Sequence, residues 1–468
     1  MLVAQCATES VVLPGILAAA ADPEGGKWVL VIGAGSSVEP PTNLPTGAQC
    51  SHEAHRRLRA DGILTVDCAN PSDLSEVADA VFAATNGQDE IVQRLPRTRF
   101  RAATPNSGHL IAAALLVEHS LACVVTLNFD LAMNAALAAV GSAESVAVIA
   151  GPDDIPQLGN VNLVYLHRNA LAPANEWVLR STFLDTVWND RWEAVMATRI
   201  LVAPTVVFAG LGSPAAALTE TVRLIRQALP ADTVRVYQVD LAPFGTLSFT
   251  TTLRVAEAEY VVAGWCDFMA AIAERVLSEH WFRFAAACVI VVAENGYAAN
   301  NLQPVADGCR RLGLVGFGLA RARWLLHDGP YARVALVDTR IIADVLLAMS
   351  FVAAGIGGTV SVRDDGAMEL RDGARLLAAV GFATGGGVRS LVAVEAALAT
   401  QRKYWPWKET RPRRVVVTGH LPSVAPTAPI SIVAEVDENG IVDAGTSSQV
   451  ISAYALRAAP ARLAELAN

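Results

Sequence analysis

The sequence predicts an α/β fold: a parallel sheet with helices on both faces, followed by a second, smaller domain. Three observations predict it. Short β-branched runs recur between alanine-rich helical stretches through the first part of the chain. The first of them, Trp28-Val29-Leu30-Val31-Ile32, runs directly into a glycine turn, Gly33-Ala34-Gly35-Ser36-Ser37. Each later run ends where a glycine, a polar residue or a histidine begins, and open α/β sheets hold their ligands at the carboxyl ends of their strands. Near-continuous apolar runs are what strands buried on both faces require.

In chain order, strands are expected at Val29–Ile32, Ala122–Thr126, Asn162–Leu166, Thr205–Ala209 and Val234–Val239, and a helix at Asp267–Leu277. A second region begins around Glu279–Phe284, so the expected division is residues 1–280 and residues 285–468. The second region is read as a smaller α/β or α+β domain with strands at Cys288–Val292 and Arg333–Asp338. It also holds a glycine-rich loop at Gly385–Gly387 and a hairpin-like stretch at Ile430–Val442 around the turn Glu438-Asn439-Gly440. Pro406–Arg414 is basic, contains proline and reads as a linker or exposed loop. Ile341–Gly355 is apolar but short for a bilayer and interrupted by Asp344, which makes it a buried helix.

Composition narrows the class. The chain has 468 residues, is 53% hydrophobic and carries a formal charge of -9, enough apolar content for two cores and the wrong sign for a nucleic-acid surface. Small molecules and proteins are the expected partners, with no direct nucleic acid and no membrane. The apolar stretch Val11–Ala21 has no basic residue before it, unlike a secretory signal. The seven cysteines, at 6, 50, 68, 123, 266, 288 and 309, form no C-x-x-C pair. Neither a disulfide framework nor a zinc knuckle follows, no metal is expected, and a reducing cytoplasm fits.

The strand ends carry the chemistry. Glycines allow the turn at Gly33–Ser37 to bring backbone N–H groups close to a phosphate, although the same turn also serves plain loop geometry. Thr126-Leu127-Asn128-Phe129-Asp130 ends a strand in two short polar side chains. Asn128 can position a water or a sugar hydroxyl and Asp130 can stabilise positive charge, or the pair can cap the next helix. Val164-Tyr165-Leu166-His167-Arg168 ends another strand in a histidine, which is either a general base near neutral pH or a structural side chain. His52 and His55, among Arg56, Arg57 and Arg59, read as a solvated helix face.

Taken in order, these segments resemble the sirtuin superfamily. Its glycine-alanine-glycine-x-serine turn matches Gly33–Ser37, its threonine-x-asparagine-x-aspartate strand end matches Thr126–Asp130, and its leucine-histidine-glycine matches Leu166-His167-Arg168. Phe208-Ala209-Gly210-Leu211-Gly212-Ser213 is similar to the turn around the adenine-side ribose, and Asp240 and Gly264-Trp265-Cys266-Asp267 to the elements that close around adenine. The resemblance spans residues 27 to about 277 and implies a Rossmann-like sheet. It implies that NAD is bound by Gly33, Ala34, Gly35, Ser36, Ser37, Thr126, Gly210, Gly212, Ser213, Asp240 and Cys266, with Asn128, His167 and Asp130 at the reacting end.

Two departures choose a branch. The four-cysteine zinc module and the glycine-x-proline-aspartate-phenylalanine-arginine loop of the protein deacylases are absent. Separately, Arg168 stands in place of the family's glycine, which bears on the backbone beside the base rather than on the branch. The pattern is similar to sirtuin-like NAD hydrolases of bacterial antiphage defence, with the domain arrangement of the Thoeris effector. That resemblance implies a homo-oligomeric, regulated NAD glycohydrolase releasing nicotinamide and ADP-ribose. The second domain would answer to a cyclic ADP-ribose-type signal or a protein partner, with Arg389 beside the glycine loop a candidate ligand contact. The rival readings are an NAD-dependent protein deacylase and a non-catalytic NAD- or ADP-ribose-binding subunit.

Overall fold

The computed structural model describes residues 13–22, 26–117, 120–140, 146–181, 192–212, 216–230, 233–276, 353, 357–362, 368–383, 413–418, 441–443 and 449–452. The chain divides into two compact units, Met1–Arg275 and Val276–Asn468.

The first unit is built on seven strands: β1 (Trp28–Ile32), β2 (Leu121–Thr126), β3 (Ala147–Ile149), β4 (Asn162–Tyr165), β5 (Thr205–Ala209), β6 (Arg235–Asp240) and β7 (Tyr260–Val262). Their order is β3-β4-β2-β1-β5-β6-β7, and every pairing is parallel. Apart from the edge strand β3, this is the order of a doubly wound, Rossmann-like sheet. All five residues of β1 are buried, as a central strand covered on both faces demands. The chain leaves β1 toward β2 on one side and later returns to β5 on the other. The crevice where such sheets take ligands therefore opens at the carboxyl ends of β1 and β5.

Register decides which side chains meet there. Ile32 lies level with Thr126 of β2 and Ala209 of β5, and Thr126 lies level with Tyr165 of β4. The residues that follow, 33, 127, 166 and 210, thus emerge side by side. Strand β4 ends at Tyr165, one residue short of the expected Leu166, so Leu166 and His167 belong to the exit turn. The short strands β3 and β7 escape a sequence reading because three-residue runs give no pattern to count. The helix expected at Asp267–Leu277 begins two residues earlier and is described over 265–276.

A helical module packs beside the sheet. Thr46 caps the helix Gly47–Ala60 in a reciprocal box with Gln49, and Asp73 caps Leu74–Thr85, which stops at Asn86 in a left-handed conformation (φ 55°). Leu58, Val77, Val81, Ile91 and Phe100 form its core together with Trp177 and Leu179 from the segment after β4. On one face of the sheet, Val29, Val31, Val125, Val164, Val206 and Phe208 pack with Met196 and Ala197 of the helix Trp192–Ile200. The expected solvated face at His52 and His55 is half right. His52 is exposed, but His55 is buried because its Nε2 accepts the Cys68 N–H at 3.4 Å.

The second unit holds a mixed sheet of six strands, β8 (Thr359–Val362), β9 (Met368–Asp372), β10 (Arg375–Ala383), β11 (Arg413–Thr418), β12 (Ile441–Asp443) and β13 (Gln449–Ser452), in the order β12-β13-β11-β10-β9-β8. β10, β11 and β13 run parallel, and the remaining pairs are antiparallel. Arg413 and Arg414, expected in a loop, open β11. The β9–β10 hairpin turns at Gly373 (φ 55°), an Asp372-Gly373 signal that a closer reading of turns would have found. Of the expected hairpin, Ile441 and Val442 lie in β12, which pairs with the downstream β13. The strands expected at Cys288–Val292 and Arg333–Asp338 and the glycine loop with Arg389 lie outside the described residues.

Candidate functional site

Two glycine turns interlock at the ends of β1 and β5. Gly33 N–H donates to the Ala209 carbonyl and Gly35 N–H to the Gly210 carbonyl, both at 3.0 Å. A Cβ on Gly35 would stand 2.7 Å from the Gly210 Cα, and one on Gly210 would stand 2.7 Å from the Ser36 nitrogen. Gly210 also sits at φ 65°. These glycines let the two backbones touch at the carboxyl ends of β1 and β5.

Ser36 and Ser37 are buried beneath this contact. Ser36 Oγ donates to the Gly33 carbonyl at 2.8 Å and Ser37 Oγ to Asp130 Oδ2 at 2.9 Å. Asn128, at the end of β2, donates its amide to the Gly33 carbonyl at 3.0 Å, with Ser36 Oγ at 3.3 Å and Ser37 Oγ at 3.4 Å. Its backbone is held by Thr126 Oγ1, which accepts the Asn128 N–H at 3.0 Å. Asp130 accepts from the Ala132 N–H at 3.0 Å and so caps the helix Ala132–Val140 while also binding Ser37. The capping and site readings of Asp130 are therefore compatible. Burial raises the Asp130 carboxyl pKa above its usual value, opposed by these hydrogen bonds.

His167 enters from the end of β4. Burial lowers its imidazole to about 4, opposed by a hydrogen bond to the Leu127 backbone, so the ring is neutral at pH 7. The next residue, Arg168, keeps a left-handed backbone (φ 73°), the region that glycine would occupy freely. Its side chain turns to the Ala150 carbonyl at 3.1 Å and lies 3.5 Å from the Glu176 carboxylate. Phe129, between Asn128 and Asp130, stacks on Trp177 with ring centroids 4.3 Å apart, and Ala170 N–H donates to the Phe129 carbonyl at 2.7 Å. The chain after His167 is thereby tied to the end of β2.

Two residues were missed as organisers. Asn106, fully buried, donates to the Ser36 carbonyl at 2.9 Å and accepts from His109 N–H and Trp265 Nε1, both at 3.1 Å. Its position just before the helix Ser107–Val117 was the available signal. Glu39 accepts the Cys266 N–H at 3.2 and 3.3 Å, joining the loop after the first glycine turn to the helix that starts at 265. His109 is buried, its pKa lowered to about 3 by desolvation, and it packs 5.8 Å from the Trp265 ring.

The outlying positions divide. Asp240 accepts from the Ala242 N–H at 3.0 Å at the end of β6, while Cys266 stands at the helix start with Glu39. Gly212 is exposed, with no described residue within 4 Å of where a Cβ would stand, and Ser213 lies outside the described residues. Among the described residues no group of His, Cys, Asp and Glu could hold a metal ion, and no helix is long and apolar enough to cross a membrane.

No protein-family model and no curated protein matches the chain. Solved structures do. A Sir2 homologue mutant in complex with ADP-ribose is 17% identical, with 57% of this chain and 97% of that chain covered at a TM-score of 0.33. A Sir2 homologue–NAD complex is 16% identical, with 57% and 94% covered and a TM-score of 0.34. A Sir2 mutant with a p53 peptide and NAD is 14% identical, with 58% and 99% covered and a TM-score of 0.32.

Proposed function

We propose that this protein is an NAD glycohydrolase whose first unit cleaves NAD to nicotinamide and ADP-ribose and whose second unit governs when it does so. One observation carries the reading: Ser36, Ser37, Asn128 and Asp130 are joined by hydrogen bonds at the ends of β1 and β2, and His167, at the end of the neighbouring β4, is bonded to the Leu127 backbone next to Asn128. In this reading the glycine turn faces the diphosphate, Gly210, Gly212, Ser213, Asp240 and Cys266 surround the adenosine half, and Asn128 and His167 face the nicotinamide ribose.

The chemistry asks little of the protein beyond placement. The bond between the ribose C1′ and the nicotinamide nitrogen breaks, its electron pair leaving with nicotinamide, and positive charge develops on the ribose. A water adds at C1′ and loses one proton. His167, neutral at pH 7, accepts that proton, Asn128 orients the water or the ribose hydroxyls, and the Asp130 carboxylate lies on the side where positive charge is stabilised. No acid is needed, because the leaving group departs neutral. Antiphage defence by NAD depletion, homo-oligomer formation and control by a cyclic ADP-ribose-type signal or a protein partner complete the proposal. They rest on the resemblance of motifs and order.

The test is nicotinamide release from NAD by the purified full chain, with Asn128→Ala and His167→Ala alongside. Loss of the general base is expected to lower the rate by about 10²–10⁴ with the fold intact. Near wild-type rates in both variants would overturn the assignment. Tight NAD binding without turnover would favour a binding module, and acyl-ADP-ribose formation from an acylated peptide a deacylase.

A further inference from the structure

Arg168 combines a backbone that suits glycine with a side chain that is anchored on three sides. Its φ of 73° lies in the left-handed region, where a long side chain persists only if its surroundings over-determine it. Nη1 donates to the Ala150 carbonyl just beyond β3 at 3.1 Å. Nε lies 3.5 Å from Glu176 in the turn Ala174–Glu176, and the guanidinium lies 5.1 Å over the ring of Trp192. Only 12% of the Arg168 side chain is exposed, although its partner Glu176 is half exposed, so the carbonyl and ring contacts carry more of the anchoring than the ion pair.

The backbone around it is equally tied. Arg168 N–H donates to the Tyr165 carbonyl at 3.4 Å, closing a turn that contains His167, and the His167 carbonyl accepts from Val178 N–H at 3.3 Å. Two residues later Ala170 N–H reaches the Phe129 carbonyl. The chain doubles back at Arg168, and this reversal sets where the His167 ring leaves β4. Glycine would satisfy the backbone angle but could not join the end of β3, the Ala174–Glu176 turn and the helix Trp192–Ile200.

We propose that the Arg168 side chain is a clasp that fixes the His167 turn, which makes Arg168 a positioning residue for that imidazole. The proposal rests on the assignment of His167 to NAD cleavage, and one of its two readouts does not depend on turnover. Arg168→Ala, Arg168→Gly, Arg168→Lys and Glu176→Gln are made in the full chain. The side-chain ¹⁵N shifts of His167, which report tautomer and hydrogen bonding, are measured with kcat and KM for NAD. Arg168→Ala and Arg168→Gly are expected to shift the His167 signals and lower kcat by about 10²-fold with KM changed less than about threefold. Arg168→Lys restores part of the loss, since it keeps a cation beside Glu176, and Glu176→Gln shifts the signals in the same direction.

Unchanged His167 signals in folded Arg168→Ala and Arg168→Gly proteins overturn the clasp. If both variants fail to fold, Glu176→Gln decides, and unchanged signals there overturn it equally. Shifted signals in a protein whose wild type releases no nicotinamide uphold the clasp and overturn the reaction instead.

Discussion

At the scale of single residues, burial sets the titration behaviour. An unfolded histidine titrates near 6.5, whereas His167 is held down to about 4 and His109 to about 3. The folded state therefore resists protonation that the unfolded state accepts, and stability rises with pH across this window. The contribution is complete above about 6.5 and is lost as pH falls toward about 4, with His167 alone accounting for on the order of 3 kcal/mol. Urea midpoints are expected to fall between about pH 7 and about pH 5, and less steeply in His167→Asn. If His167 is the base, kcat/KM stays level down to about pH 5 and its acid limb approaches about 4. An acid limb centred near 6.5 would mean that the working base is not this buried ring. Arg168 belongs at the same scale: its left-handed backbone costs about 1–2 kcal/mol, which its side-chain anchors offset.

At the scale of elements, the contact between the turns after β1 and β5 is the part least tolerant of change. Gly210→Ala meets a strained φ and a backbone nitrogen at 2.7 Å, and Gly35→Ala meets a backbone Cα at the same distance. Each is expected to lower unfolding stability by about 2 kcal/mol or more and to weaken NAD binding, because neither obstacle is a flexible side-chain tip. Gly212→Ala, with open space around it, is expected to stay within about 0.5 kcal/mol of wild type. Thermal melts of the three variants check this. Equal losses at positions 35 and 212 would show that the interlocked turns are not what holds the crevice. The helical module contributes by a similar logic, since the stacked Phe129 and Trp177 rings and the Gln88 amide, bonded to the Ala174 and Trp177 carbonyls, pin the segment that follows His167.

At the scale of the whole molecule, the two units are separately compact, which suits a division between reaction and control. Under the proposed reading, an unrestrained NADase would exhaust the cell that makes it, and the intact chain is then expected to turn over NAD slowly until triggered. Removing the residues after about 275 is expected to raise basal nicotinamide release. Arg389→Ala is expected to blunt activation without lowering the activity of the shortened chain, since a ligand acts only through its differential affinity for the active state. Full basal turnover that is indifferent to both changes would make the second unit architectural. Activity is also expected to survive chelators, and a loss reversed by added metal would contradict the proposed chemistry.

The sequence by itself determined five of the seven strands of the first sheet to within a residue, because apolar runs bounded by glycine and polar residues leave one economical arrangement: parallel strands covered on both faces. It likewise marked Gly33–Ser37, Asn128, Asp130 and His167, whose types and order are local facts. It did not reveal β3 or β7, which are too short to show a period, nor the second sheet, where only β12 overlaps an expected strand and β11 opens in a stretch expected to be a loop. Only the tertiary structure decided that Gly35 and Gly210 serve each other, that Asp130 caps a helix and binds Ser37 at once, and that Asn106 and Glu39 knit the turns to the helices beginning at 107 and 265. The reason is physical: hydrogen bonds and close approaches between residues 70 to more than 200 positions apart depend on how parallel strands joined by long crossovers are registered, and no short turn fixes that register as it does in a hairpin.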